Sequence, residues 1–266
     1  MKIQLFLVVA VVSAVSTASP ARAGFFDQLK STFTTTNSSA TNSLLSSATT
    51  AALSQEQMVS GLKEALGKGI EHAVATLGCN NGFLTNRNVK IPMPEKLQKV
   101  ESVLRAAGQN QMADDFVTSM NRAAEQAVPV AVSIFGTAIK QMSIADAKAI
   151  LAGPDDAATQ FFRRATQTNL QAKFYPIVQK ATDQVGVTAQ YKAMMGKFSA
   201  VDTVSSLFGS KSATKLSTGD VDAYITDKAM DGLFKLVAAE EKNIRANPLA
   251  RTSDLLQKVF GSAAKK

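Results

Sequence analysis

The stretch SQEQMVSGLKEALGKGIEHAVATLG, residues 54–78, decides the fold class. Ser54 with Gln57 forms a capping box, in which a hydroxyl and an amide side chain satisfy backbone donors at a helix start. Met58, Leu62, Leu66, Ile70, Ala73 and Leu77 then recur at three- and four-residue steps. That spacing belongs to a helix with one buried face, and Gly78 ends it.

The same pattern repeats downstream. Pro94, whose missing N–H costs nothing in a first turn, opens a helix through Leu97, Val100, Val103 and Leu104 to Gly108. Further helices are predicted over 110–127, from Pro129 to Met142, and from Ser143 and Asp146 to Gly153. Pro154-Asp155-Asp156 is read as the start of another, with two acids where the helix dipole favours negative charge. A separate helix carries Leu170, Phe174, Ile177, Val178 and Ala181 to Gly186, and one more spans 188–198. Residues 199–219, rich in Ser, Thr and Gly, read as a loop.

From Asp220 to Ala246 runs the longest helical pattern. Ile225, Ala229, Leu233 and Leu236 share a face and Phe234 points the other way, so this helix is packed on more than one side. Asn247-Pro248 stops it, and Thr252 or Ser253 caps a last helix ending at Gly261. Between Gly78 and Pro94 lies the longest polar interruption, whose short apolar pieces at 83–84 and 89–91 do not make a sheet. The fold class is therefore all-α: a compact bundle of about nine to ten helices with little or no β.

Upstream of residue 54 the chain reads differently. Met-Lys-Ile-Gln leads into an apolar run from Leu5 to Val15, then Pro20 and Ala21-Arg22-Ala23. About eleven apolar residues fall short of the roughly 20 a membrane-spanning helix needs. A basic start, short apolar core and A-x-A site make a secretory signal, cleaved after Ala23, which places the mature chain in the periplasm. No Cys beside that site marks a lipoprotein, and no later segment reaches spanning length. The expected organisation is a signal at 1–23, a Ser/Thr-rich flexible segment at 24–53, a helical domain at 54–261 and a tail at 262–266. Within the second part, Phe25, Leu29 and Phe33 fall at i, i+4, i+8 and offer a face for peripheral membrane or partner contact.

Composition narrows the chemistry. The formal charge of +8 falls to +6 when Lys2 and Arg22 leave with the signal, with acids and bases interspersed. A dense Lys/Arg stripe with interleaved aromatics is absent, so nucleic acid is not an expected partner. Cys79 is the only cysteine and His72 the only histidine. An intramolecular disulfide is impossible and a four-ligand zinc site cannot be built within one chain. Cys79 reads as a buried or inert thiol, His72 as a surface or boundary residue. No glycine-rich phosphate loop follows a strand, so no cofactor is expected, and no catalytic or metal-binding residue is assigned.

The blocks GLKEALGKGIEHAVATLG (61–78), IPMPEKLQKVESVLRAAG (91–108) and MNRAAEQAVP (120–129) resemble the bacterial domain-of-unknown-function family 4197. AIKQMSIADAKAILAGPDDAATQFFRR (138–164), FYPIVQKATDQVGVT (174–188) and KAMDGLFKLVAAEEKNIRANP (228–248) extend the likeness in order, over about 53–261. The resemblance implies a helical envelope protein of a Gram-negative bacterium and implies no activity. The 34–53 stretch and the 199–219 loop look peculiar to this member.

Two polar constellations are candidate ligand or partner sites. Asn121, Arg122 and Glu125 occupy an otherwise Ala-rich helix; Arg122 and Glu125 are spaced to pair along it, and a buried inter-helix tie is the alternative. Asp155 and Asp156 lead to Phe162, Arg163 and Arg164, and an Arg pair can grip a carboxylate or phosphate; a capped helix with dipole-matched arginines is the alternative. Asp227 and Asp231, four apart, read as a solvated face, since nothing beside them would set their pKa values apart. The function expected is non-enzymatic binding of an apolar ligand or a protein partner in the envelope, using Met- and Phe-rich helix packing. The alternative is a periplasmic hydrolase or lyase working through Glu125, Asp155 or Asp156. A third possibility is an assembly role through residues 25–33.

Overall fold

A computed structural model describes residues 54–206 and 216–247, with side chains described at 54–199 and from 216 onward. The signal at 1–23, the 24–53 segment with Phe25, Leu29 and Phe33, the last helix at 252–261 and the tail lie outside the described residues. Within them the protein is all-α, with no strand. The helices are α1 (Gln55–Gly78), α2 (Gln98–Ala106), α3 (Asn110–Ala127), α4 (Ala131–Gln141), α5 (Ile144–Ala152), α6 (Ala157–Gln184), α7 (Val187–Ser206) and α8 (Thr218–Ala246). Single 3₁₀ turns at Glu95–Leu97 and Val128–Val130 lead into α2 and α4.

Local sequence sets the boundaries where capping chemistry is strong. Ser54 with Gln57, Ser143 with Asp146 and Ser217 with Asp220 each form a complete capping box at the start of α1, α5 and α8. Two expectations are corrected. The helix opening at Pro154 and the helix ending at Gly186 are one 28-residue element, α6. Neither Gly nor Pro separates Arg164 from Leu170, so nothing breaks the helix there. Pro176 inside it removes one backbone donor, a cost of about 3 kcal/mol, but buried Phe174 and Val178 on either side hold the helix through it. Likewise α7 runs on to Ser206, through residues read as loop. The α6 merger, with the expected last helix outside the described residues, leaves eight α-helices among those residues where about nine to ten were expected for the chain.

Packing gathers around α8, which lies against α6, α1 and α3. Leu233 and Phe234, neighbours set about 100° apart around α8, are both buried, as an apolar pattern wider than one stripe requires. Phe135 of α4 meets Phe162 of α6 at 5.2 Å and Phe234 of α8 at 5.8 Å between ring centroids, both edge-to-face. Edge-to-face rings add about 0.5–1.5 kcal/mol per pair beyond area burial. The 79–94 connection forms turns yet buries Phe83, Val89, Ile91 and Met93. It packs on α8 at Gly232, where an added Cβ would come within 2.7 Å of the Phe83 ring.

Candidate functional site

Asn121, Arg122 and Glu125 lie together on α3 and are spent on the 79–94 connection. The Asn121 Oδ1 accepts the Ile91 N–H at 2.9 Å, and its Nδ2 donates to the Ile91 carbonyl at 2.9 Å and the Val117 carbonyl at 2.7 Å. Glu125 accepts the backbone N–H groups of Asn81 and Phe83, both at 3.2 Å. Arg122 bridges the two, donating to Glu125 Oε2 and to Asn81 Oδ1, each at 2.9 Å. Asn81 has φ +70°, a conformation Asn tolerates better than most residues. Asn121 and Glu125 are fully or nearly fully buried. The constellation is a tie between a helix and a connection.

The second set is dispersed. Asp155 and Asp156 are exposed at the corner before α6, and Asp156 accepts from Gln160 at 3.0 Å without capping the helix. Phe162 is a core residue. Arg163 lies 4.4 Å over the Phe234 ring and 3.8 Å from Asp231, so it pairs with neither Asp155 nor Asp156. Arg164 is exposed and attracts Asp146 of α5. The start of α6 is instead satisfied by a residue the sequence reading passed over. Glu241 of α8 accepts the N–H of Ala158 at 2.8 Å and both the N–H and hydroxyl of Thr159 at 2.9 Å. Arg245 donates to Glu241 at 2.9 Å and to the Ile150 carbonyl of α5 at 2.8 Å. Glu241 and Arg245 together thus join α5, α6 and α8, with the carboxylate at the helix end whose dipole favours it.

Lone and paired groups elsewhere are surface features. His72 is exposed, with Nδ1 2.8 Å from Glu240 Oε1. Cys79 is exposed and its thiol donates to the Thr76 carbonyl, so the thiol is not buried. Asp227 lies at the surface, yet partial desolvation of its carboxyl, with Asp231 adding to it, raises its pKa, against the expectation that nothing there would do so.

A groove of about 250 Å³ opens between α4, α5 and α6. Ile134, Ala138, Phe161 and Thr166 make its floor; Thr137, Gln141, Asp146, Ala165 and Asn169 make its rim. Thr166 and Thr137 donate within their own helices. The Gln141 and Asn169 amides are not engaged among the described residues. Asp146 spends one oxygen on Ser143, whose hydrogen bonds hold its carboxyl below the usual range, with Arg164 assisting. A second, far smaller cavity beside Glu241 and Arg245 has room for little more than a water.

Among the described residues the chain is thus an all-α domain whose buried Asn121, Glu125 and Glu241 are structural ties and which carries a small groove between α4, α5 and α6. The family model for a protein of unknown function, DUF4197, matches residues 52–261, and the chain belongs to that family. No curated protein and no solved structure matches it.

Proposed function

We propose that this chain is an exported, non-enzymatic binding protein of the cell envelope, and that it holds a protein partner through the α4–α5–α6 groove. The groove carries the reading: a floor of Ile134, Ala138 and Phe161, with Thr166 beside them, inside a polar rim is the arrangement of an interface pocket. About 250 Å³ lies below the roughly 300–1,000 Å³ of pockets for drug-sized ligands. The size suits one large apolar side chain. The free Gln141 and Asn169 amides each donate and accept, as the backbone flanking such a side chain requires. Asp146 is the charged group among the lining residues, and its attraction to Arg164 offsets part of that charge, which favours a neutral partner segment over an acidic one. Export rests on the signal pattern of residues 1–23.

A photo-crosslinking residue in place of Asn169, in the full chain expressed in its native envelope, tests the proposal. The expected result is one dominant protein adduct, absent when the crosslinker replaces Lys192 of α7 and lost when Ala165→Trp fills the groove. An adduct unaffected by Ala165→Trp, or none at Asn169, sinks the groove reading. Mass analysis of the same protein checks export: the chain should begin at Gly24.

A further inference from the structure

We infer that the partner segment seated in the α4–α5–α6 groove is acidic where it leaves the groove, and that Lys173 and Lys180 of α6 receive its carboxylates. The inference rests on the groove being the partner site and adds the chemistry of the surface beside it.

The wall that α6 gives the groove continues past it. Ala165 and Asn169 line the groove. Four-residue steps keep Lys173 on the same side of the helix, and Lys180 follows two turns further on. At about 1.5 Å rise per residue, Lys173 stands about 6 Å and Lys180 about 16 Å along the axis from Asn169. Both lysines are exposed. An extended chain, rising about 3.3 Å per residue, covers that distance in about five residues.

Charge along α6 is one-sided. From Ala157 to Thr182 the helix holds Arg163, Arg164, Lys173 and Lys180 and no acid. The two arginines have carboxylates near them: Arg163 reaches Asp231 at 3.8 Å, and Arg164 attracts Asp146. Lys173 and Lys180 pair with no carboxylate among the described residues. Asp183, three residues after Lys180, accepts from the Thr188 hydroxyl at 3.2 Å instead.

The backbone between the lysines adds an acceptor. Pro176 has no N–H to give the Ala172 carbonyl. Both residues are exposed, which leaves that carbonyl for water or for an N–H of the partner. Two cations and a backbone acceptor thus prolong a groove whose own charged lining group is Asp146. A segment matched to both parts is neutral at its apolar anchor and acidic about two to five residues away.

The test uses the full chain in its native envelope, with a photo-crosslinking residue in place of Asn169 reporting occupancy of the groove. Adding Lys173→Glu and Lys180→Glu together should cut the protein adduct about tenfold, because reversed rim charges oppose an acidic partner. Lys192→Glu with Lys197→Glu, both exposed on α7, should leave it unchanged. Circular dichroism of each purified variant checks that its helices are intact. An adduct insensitive to the α6 pair, or weakened equally by the α7 pair, overturns the inference and leaves the groove as the partner site. The partner peptide, mapped by mass analysis with both α6 lysines in place, gives a second measurement. It should carry Asp or Glu within about five residues of its crosslinked position, and a peptide without one refutes the inference. No adduct at Asn169 with both lysines present sinks the groove and this inference together.

Discussion

Replacing Asn121 by alanine should unfold the protein's most legible polar tie. Asn121 is fully buried, and its amide holds both the N–H and the carbonyl of Ile91, itself fully buried. Removal leaves two buried backbone groups without partners, each costing about 1–3 kcal/mol, or about 2–6 kcal/mol together. The third bond, to the Val117 carbonyl, adds little, because that carbonyl also takes a helical N–H. At about 2–4 °C per kcal/mol for a domain of this size, a loss of about 4 kcal/mol lowers Tm by about 8–16 °C. Calorimetry or circular dichroism at 222 nm reads this directly, and amide exchange should show lost protection at Ile91. A Tm within about a degree of wild type would refute the view that Asn121 is structural and restore it as a candidate ligand residue.

Three further outcomes follow from the same geometry. Glu241→Gln removes the charge that caps α6 and leaves Arg245 buried beside it, which should cost about 2–4 kcal/mol in denaturant unfolding. Asp155→Ala and Asp156→Ala, at the same corner but exposed, should stay within about 0.5 kcal/mol; equal effects at all three positions would contradict the assignment of the cap. Gly232→Ala would gain about 1 kcal/mol in an open helix. Here its Cβ meets Phe83 at 2.7 Å and Val89 at 3.2 Å, so a net loss of about 1–3 kcal/mol is expected. A raised Tm would mean that the 79–94 connection does not press on α8.

The fold class was legible because helix periodicity and the capping boxes at Ser54, Ser143 and Ser217 are local signals. Family membership was legible from the ordered blocks between 61 and 248. The α6 merger and the extension of α7 were missed for the opposite reason. Ser, Thr and Gly content does not by itself stop a helix, and the stretch 165–169, free of Gly and Pro, carries no signal that would divide α6. The candidate residues have structural partners that follow from their positions. Asn121 and Glu125 follow Val117 at four-residue steps, and Glu241 lies on the stripe of Phe234, Val237 and Ile244. A polar group at such a position faces the interior and must find partners there, which marks a tie before it marks a ligand site. Their partners, Ile91, Phe83 and Thr159, are distant in the chain, so no spacing rule could have named them. The groove was illegible for the same reason: its walls come from three helices, and its residues are ordinary in each.

The central claim is that a protein partner occupies the α4–α5–α6 groove. Native mass spectrometry of the chain, released gently from its own envelope, tests it most directly. The expected result is a complex with one additional protein in fixed stoichiometry, absent from the Ala165→Trp variant while the variant's helical signal is unchanged. A bare chain, a bound lipid in place of a protein, or a complex that Ala165→Trp leaves intact would contradict it.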